Sequence, residues 1–169
     1  MRRIEVIVFF VLLPLAANAS LASSAFFAHP AEFSSNPEAC GRVVAVAILI
    51  SMVAIGGLKV HDLGPKPALY AVLGQGLALI VVFAGVYRGY GLLYAGSALP
   101  MPLLNDGESA LYFSIVTWTT LGYGDFTPPP ELRLIAAAEA LVGYLFFGLA
   151  VGLGTFLLCE KRPRVTIGD

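Results

Sequence analysis

Residues 105–130 read NDGESALYFSIVTWTTLGYGDFTPPP, and local signals divide this stretch into three parts. Asp106 suits a helix N-cap, and Glu108 follows in the first turn, where acids meet the positive end of the helix dipole. The run from there to about Thr119 is long enough for a helix but too short to cross a bilayer. A glycine-containing run, Thr120 to Gly124, comes next. Three prolines, Pro128 to Pro130, then open a further helix, because proline is tolerated in a first turn. Half-helix, extended loop, helix is the order of a re-entrant loop. Non-helical backbone at membrane depth is tolerable only where it is buried in protein or lines a water-filled path.

The flanks agree with a membrane setting. Of 169 residues, 58% are hydrophobic and only 12% are charged; a soluble domain carries about a quarter charged residues. Apolar runs cover residues 6–21, 43–58, 68–87 and 132–158. Each reaches or approaches the length of a membrane helix. The first run has two readings. Arg2 and Arg3 precede it, and Ala17-Asn18-Ala19 has the small-x-small form of a signal-peptidase site. Residues 1–22 are thus either a cleaved signal peptide or a first transmembrane helix. Residues 23–42 form an extracytoplasmic connector, 59–67 a cytoplasmic loop and 159–169 a short cytoplasmic tail. With the N-terminus inside, seven of the ten Lys and Arg residues lie on the cytoplasmic side, as the positive-inside rule requires. Only Arg42, Arg88 and Arg133 lie outside, against six acids there: Glu32, Glu38, Asp106, Glu108, Asp125 and Glu131. That excess of acid raises the local cation concentration.

Several function classes find no support. Cys40 and Cys159 fit no metal or redox spacing, and the topology puts them on opposite sides of the membrane. No basic cluster is large enough for nucleic acid. No span carries the spaced arginines of a voltage sensor. No Walker motif, zinc spacing or nucleophile–base pair is present. The ten residues after Cys159 are too few for a nucleotide- or calcium-binding domain. Gating is then expected from the pore itself, the lipid, membrane tension or a separate partner.

Thr120-Leu121-Gly122-Tyr123-Gly124 matches the potassium-channel filter sequence TVGYG, with Leu in place of Val. Residues 110–128, ALYFSIVTWTTLGYGDFTP, resemble the pore helix and filter of potassium channels. The resemblance extends to an outer helix over 68–87 and an inner helix over 131–158, roughly the C-terminal 100 residues. The physics suits it. A dehydrated potassium ion needs a cage of oxygens, and backbone carbonyls stacked in rings by four chains provide one. Gly122 and Gly124 admit backbone conformations that a side chain would penalise. The resemblance implies that the Thr120 hydroxyl completes the innermost site, and that Leu121 and Tyr123 point away and pack behind the filter. It also places Thr119 and Asp125 at the filter's two ends. Asp125 is expected to bond an aromatic of the pore helix; Tyr112 can donate to it and Phe113 cannot. Some channels carry Glu where this chain has Val116, so their inactivation behaviour is not carried over.

Glu139 lies inside the last helix, about 14 Å below its start, and is expected to hydrogen-bond the back of the pore helix. An intramembrane acid is a functional candidate by default. Gly143 is a candidate gating hinge or a close-packing position, and either Phe146 or Phe147 narrows the cavity. Gln75, between Gly74 and Gly76, is expected to face protein. Tyr87, Tyr90 and Tyr94 suit a membrane interface. His29 and His61 lie in connectors with no partner pattern.

The expected fold is an all-α integral membrane protein: outer helix, re-entrant pore helix and filter loop, then inner helix. One or two further N-terminal hydrophobic helices precede this pore domain, residues 68–158. One loop per chain is a quarter of a ring, so a homotetramer in the lipid bilayer is expected. It would conduct K+ passively across a cell membrane, which the compactness of the chain suggests is a bacterial inner membrane, with K+ as permeant ion, no cofactor and no nucleic-acid partner. The rival readings are a weakly selective cation channel and a non-conducting auxiliary subunit.

Overall fold

Proline marks the start of each long helix. The computed structural model describes residues 8–27, 37–57, 65–95 and 103–160. His29, His61, the middle of the 23–42 connector, most of the 59–67 loop and the 161–169 tail lie outside these residues. A π-helical turn over Val8–Leu12 leads into α1, Leu13–Phe27. Helix α2 is Pro37–Gly57, with Glu38 in its first turn bridging to Arg42 one turn on (3.3 Å). Helix α3 is Pro65–Tyr90, and the short α4 is Gly107–Trp118. A 3-10 turn, Pro130–Leu132, opens α5, Arg133–Glu160. Among the described residues, three spans are long and apolar enough to cross a membrane by length and composition: Glu38–Gly57, Pro65–Tyr90 and Pro130–Cys159.

The 23–42 connector is therefore shorter than the sequence suggests, because helix continues to Phe27 and resumes at Pro37. Proline at the first helical position and an acid beside it start α2 before its apolar run begins.

Helix α3 is the centre of the chain and packs against α1, α2, α4 and α5. Its outer half carries the main core. Phe83, Val86 and Tyr87 meet Cys40 and Val44 of α2, Ala110 and Phe113 of α4, and Leu132. A second cluster joins Ala47 of α2 to Leu79 and Val82. Both cysteines are free, Cys40 buried and Cys159 exposed.

A small antiparallel sheet stands beyond the outer end of α3. Strand β1, Leu92–Tyr94, pairs with β2, Leu103–Leu104, and with β3, Phe126–Thr127. The register sets Leu93 opposite Leu103 on one side and Thr127 on the other. The sequence reading has only a loop here. The sheet ties the end of α3 to the chain just after the glycine-containing run.

Helix α4 starts as its sequence requires. Asp106 is the N-cap, in extended conformation, and its side chain accepts from the Ser109 N–H at 2.7 Å. That bond holds the Asp106 carboxyl below its ordinary pKa. The cap's contribution is present above the ordinary carboxylate range and is lost as pH falls through the lowered value. Asp106→Ala is expected to cost at most about 1 kcal/mol. Thermal melts of wild type and variant in detergent should differ at pH 7 and draw together only at acid pH, below the ordinary carboxylate range.

Candidate pore loop

The chain unwinds from α4 in steps. The Thr119 N–H donates to the Ile115 carbonyl (3.0 Å), that of Thr120 to Thr117 (3.0 Å) and that of Leu121 to Val116 (2.9 Å). The partly negative C-terminal end of α4 thus faces the loop. Beyond it, Thr120, Gly122 and Gly124 take φ of 58°, 54° and 78°, with Leu121 and Tyr123 between them on the ordinary side. Alternation of hand along a strand turns the N–H groups to one side and the carbonyls to the other. Glycine is the residue that takes positive φ without strain. Thr120 is β-branched and takes it nonetheless, a strained conformation of the kind that gathers at functional sites. The side chains of Leu121 and Tyr123 are 58% and 68% exposed in the single chain.

The far end of the loop is fastened. The Ala95 N–H donates to the Asp125 carbonyl (2.8 Å), and the Phe126 N–H to Asp125 Oδ1 (3.0 Å). Hydrogen bonding to the Asp125 carboxylate raises the Tyr112 phenol above its ordinary pKa. The Tyr112 ring also meets Phe126 edge-on at 5.8 Å. Phe113 turns inward and packs edge-on against Tyr87 at 4.8 Å. At the near end, the Thr119 hydroxyl donates to the Ile115 carbonyl of its own helix (2.7 Å).

Glu139 of α5 is completely buried. The Tyr87 hydroxyl donates to its Oε2 (2.7 Å) and the Ser114 hydroxyl to its Oε1 (2.5 Å). Ser114 Oγ also lies 2.9 Å from the Ile80 carbonyl. One carboxyl group therefore joins outer helix, pore-loop helix and inner helix behind the loop. Tyr87, expected from sequence at the membrane interface, is instead part of the core, because its hydroxyl finds an acceptor on another helix. Sequence reasoning missed Tyr87 and Ser114 as partners. The available signal was chemical: a buried acid needs donors, and these hydroxyls lie on the two helices that flank it.

Gly143 lies against the last turn of α4. A Cβ there would run into the Trp118 carbonyl group, with the carbonyl carbon and Cδ2 both 3.1 Å away. That close approach is a packing reason for glycine. Phe146 follows on the same face and meets the Trp118 ring at 5.5 Å, whereas Phe147 is 71% exposed. Below the loop, between α3 and α5, an apolar cavity of about 520 Å³ is lined by Val72, Ile80, Trp118, Thr120, Tyr144 and Phe147, among others.

Among the described residues, three long apolar helices accompany a half-helix and a loop of alternating hand, the build of a multi-pass membrane protein, and the family match places it in the ion-channel class. A family model described as "Ion channel" matches residues 76–158. Protein LctB of Bacillus caldotenax is 33% identical over 114 residues, 61% of this chain and 83% of that protein. Two-pore potassium channel 1 of Arabidopsis thaliana is 27% identical over 117 residues, 65% of this chain. The human potassium voltage-gated channel subfamily KQT member 3 is 49% identical over 59 residues, 32% of this chain. The chain spans 32% of the plant channel and 7% of the human one. No solved structure matches the chain. The chain belongs to the potassium-channel pore-domain family. It is a channel protein and not an enzyme.

Proposed function

We propose that the protein is a potassium-selective channel in which four copies arrange their 120–124 strips around one axis and pass K+ down its gradient. The observation that carries this reading is the alternating backbone of Thr120–Gly124, with positive φ at three positions two residues apart. It suits a column of carbonyls, and four columns make a cage for a dehydrated cation. Thr120 through Gly124 would line the path, with the Thr120 hydroxyl at the inner end. Asp125, Tyr112 and Thr119 would hold the two ends of the strip, and Glu139 its back. The potassium channels among the relatives support the choice of ion.

The uncovered surfaces support a homotetramer. More than half of the apolar window of α3 is buried within the chain, but almost none of that of α5. Leu121, Tyr123, Tyr144 and Phe147 are likewise open in the single chain. Neighbouring copies would cover Leu121 and Tyr123 and so place them behind the filter. Residues 68–158 would form the pore domain, with K+ as permeant ion and no cofactor. Gly143 is the candidate bending point of α5, and a bend there would move the Trp118 carbonyl against which it rests. The basic residues favour a cytoplasmic N-terminus. A bacterial inner membrane is the proposed location.

The test is uptake into liposomes holding the purified protein, with sodium as competitor and barium as blocker. Uptake that potassium supports, sodium does not and barium stops is the expected result. Equal sodium uptake would replace the reading with a weakly selective cation channel. Silence together with failure to form tetramers would replace it with an auxiliary subunit.

A further inference from the structure

Gln75 sits in the middle of α3, a polar amide on a helix that crosses the membrane. Left facing lipid, its amide would give up hydrogen bonds to water and gain none in return. It does not face lipid: it is 2% exposed. Its Oε1 accepts from Asn18 Nδ2 of α1 at 2.8 Å. The same Nδ2 donates to Ser51 Oγ of α2 at 2.7 Å, and Asn18 is fully buried. The Ser51 hydroxyl also reaches the Ala47 carbonyl at 3.0 Å. One amide on α1 therefore links the two helices that flank it.

The polar contact has apolar neighbours on the same face of α1, three residues away on either side. Leu15 lies over Gly74, where a Cβ would be 3.6 Å from its Cδ1, an ordinary contact. Leu21 packs on the cluster of Ala47, Leu79 and Val82. Leu15, Asn18 and Leu21 follow the i, i+3 spacing of one helix face. Leu15 meets glycine, Leu21 meets an apolar cluster, and Asn18 donates to an amide and a hydroxyl, while Asn18 Oδ1 and Gln75 Nε2 are buried without a hydrogen-bond partner. Signal-peptidase cleavage after Ala19 would remove Leu15 and Asn18. It would leave Gln75 with only Ser51, at 3.4 Å.

We infer that residues 8–27 stay in the mature protein as an integral helix, docked on α2 and α3 through an Asn18–Ser51–Gln75 clasp. The small-x-small signal around Asn18 is then the sequence of a docking face. The clasp stands on the back of α3. On the other side of the same turn, Gly76 faces Trp118 and Phe146, where a Cβ would be 3.5 Å and 3.4 Å from their rings. Helix α1 thus braces the part of α3 on which the end of α4 rests. Interhelical hydrogen bonds of this type hold membrane helices together strongly enough for their loss to be read out by mutation.

Two measurements test the inference on the full-length protein purified from membranes. Intact mass is expected to be close to 17.8 kDa. A product that begins at Ser20 would overturn the inference. Thermal melts of Asn18→Leu, Gln75→Leu and the double variant then test the clasp. Each single change strands a buried partner and is expected to lower the midpoint by a few degrees. The double change should lower it by less than the sum of the two. Strictly additive shifts, or no shift, would overturn the clasp. Potassium uptake by Asn18→Leu keeps the two readings apart: persisting uptake with a lowered midpoint is the expected result, and uptake lost from wild type as well would concern the channel reading alone.

Discussion

Gly122→Ala abolishes potassium-selective uptake while the chain still inserts and assembles: that is the expected result of the substitution with the largest effect. Gly122 has φ of 54° and open space around its Cα, so nothing but the backbone conformation resists a methyl group. An L-residue in the left-handed region costs about 1–2 kcal/mol, and the proposed ring repeats that cost in every copy. The strip can relieve it by returning residue 122 to negative φ, which breaks the alternation and turns a carbonyl out of the column. The cost falls on the loop and not on the helices, so yield and oligomeric state should stay near wild type. Uptake should fall at least about tenfold, the equivalent of 1.4 kcal/mol. Wild-type potassium selectivity in this variant would remove the assignment of residues 120–124.

The second large effect is on stability. Glu139→Leu leaves the buried Tyr87 hydroxyl without its acceptor, whereas Ser114 keeps the Ile80 carbonyl. An orphaned buried donor costs about 1–3 kcal/mol. The melting midpoint in detergent is expected to drop by several degrees. Glu139→Gln retains an acceptor for Tyr87 and should lose less than half as much. Tyr87→Phe combined with Glu139→Leu removes donor and acceptor together and should be more stable than Glu139→Leu alone. A Glu139→Leu protein as stable as wild type would show that the three-helix junction contributes nothing. Uptake by the same variants reports whether the junction also holds the loop.

What could be read from the sequence was local chemistry. The cap of α4 is legible because Asp106 is a capping residue type with Glu108 in the turn behind it, and the loop because glycines and prolines announce backbone that helices reject. Two kinds of feature were not legible. The strands of the outer sheet are two or three residues long, too short for any alternation to show. Contacts between distant residues leave no period either. Tyr87 and Glu139 are 52 positions apart, and the tyrosine looks like any interfacial ring until its partner is placed. Gly143 is similar. Its sequence neighbourhood allows a hinge or a packing contact, and only the position of the Trp118 carbonyl adds the close approach. Asn18 was hidden by a competing pattern, since a cleavage signal and a small-residue docking face use the same side chains.

The single strip per chain has a consequence for inheritance of damage. In the proposed ring, an altered copy does not make one bad channel beside three good ones. It contributes a faulty wall to every assembly it joins, while its own helices fold and carry it into those assemblies. In a cell that makes altered and normal chains in equal amounts, random mixing would leave only a small minority of rings free of the fault. A lesion at Gly122 would therefore behave as dominant. A lesion that stops α5 from folding would keep the chain out of rings altogether, and would behave as recessive.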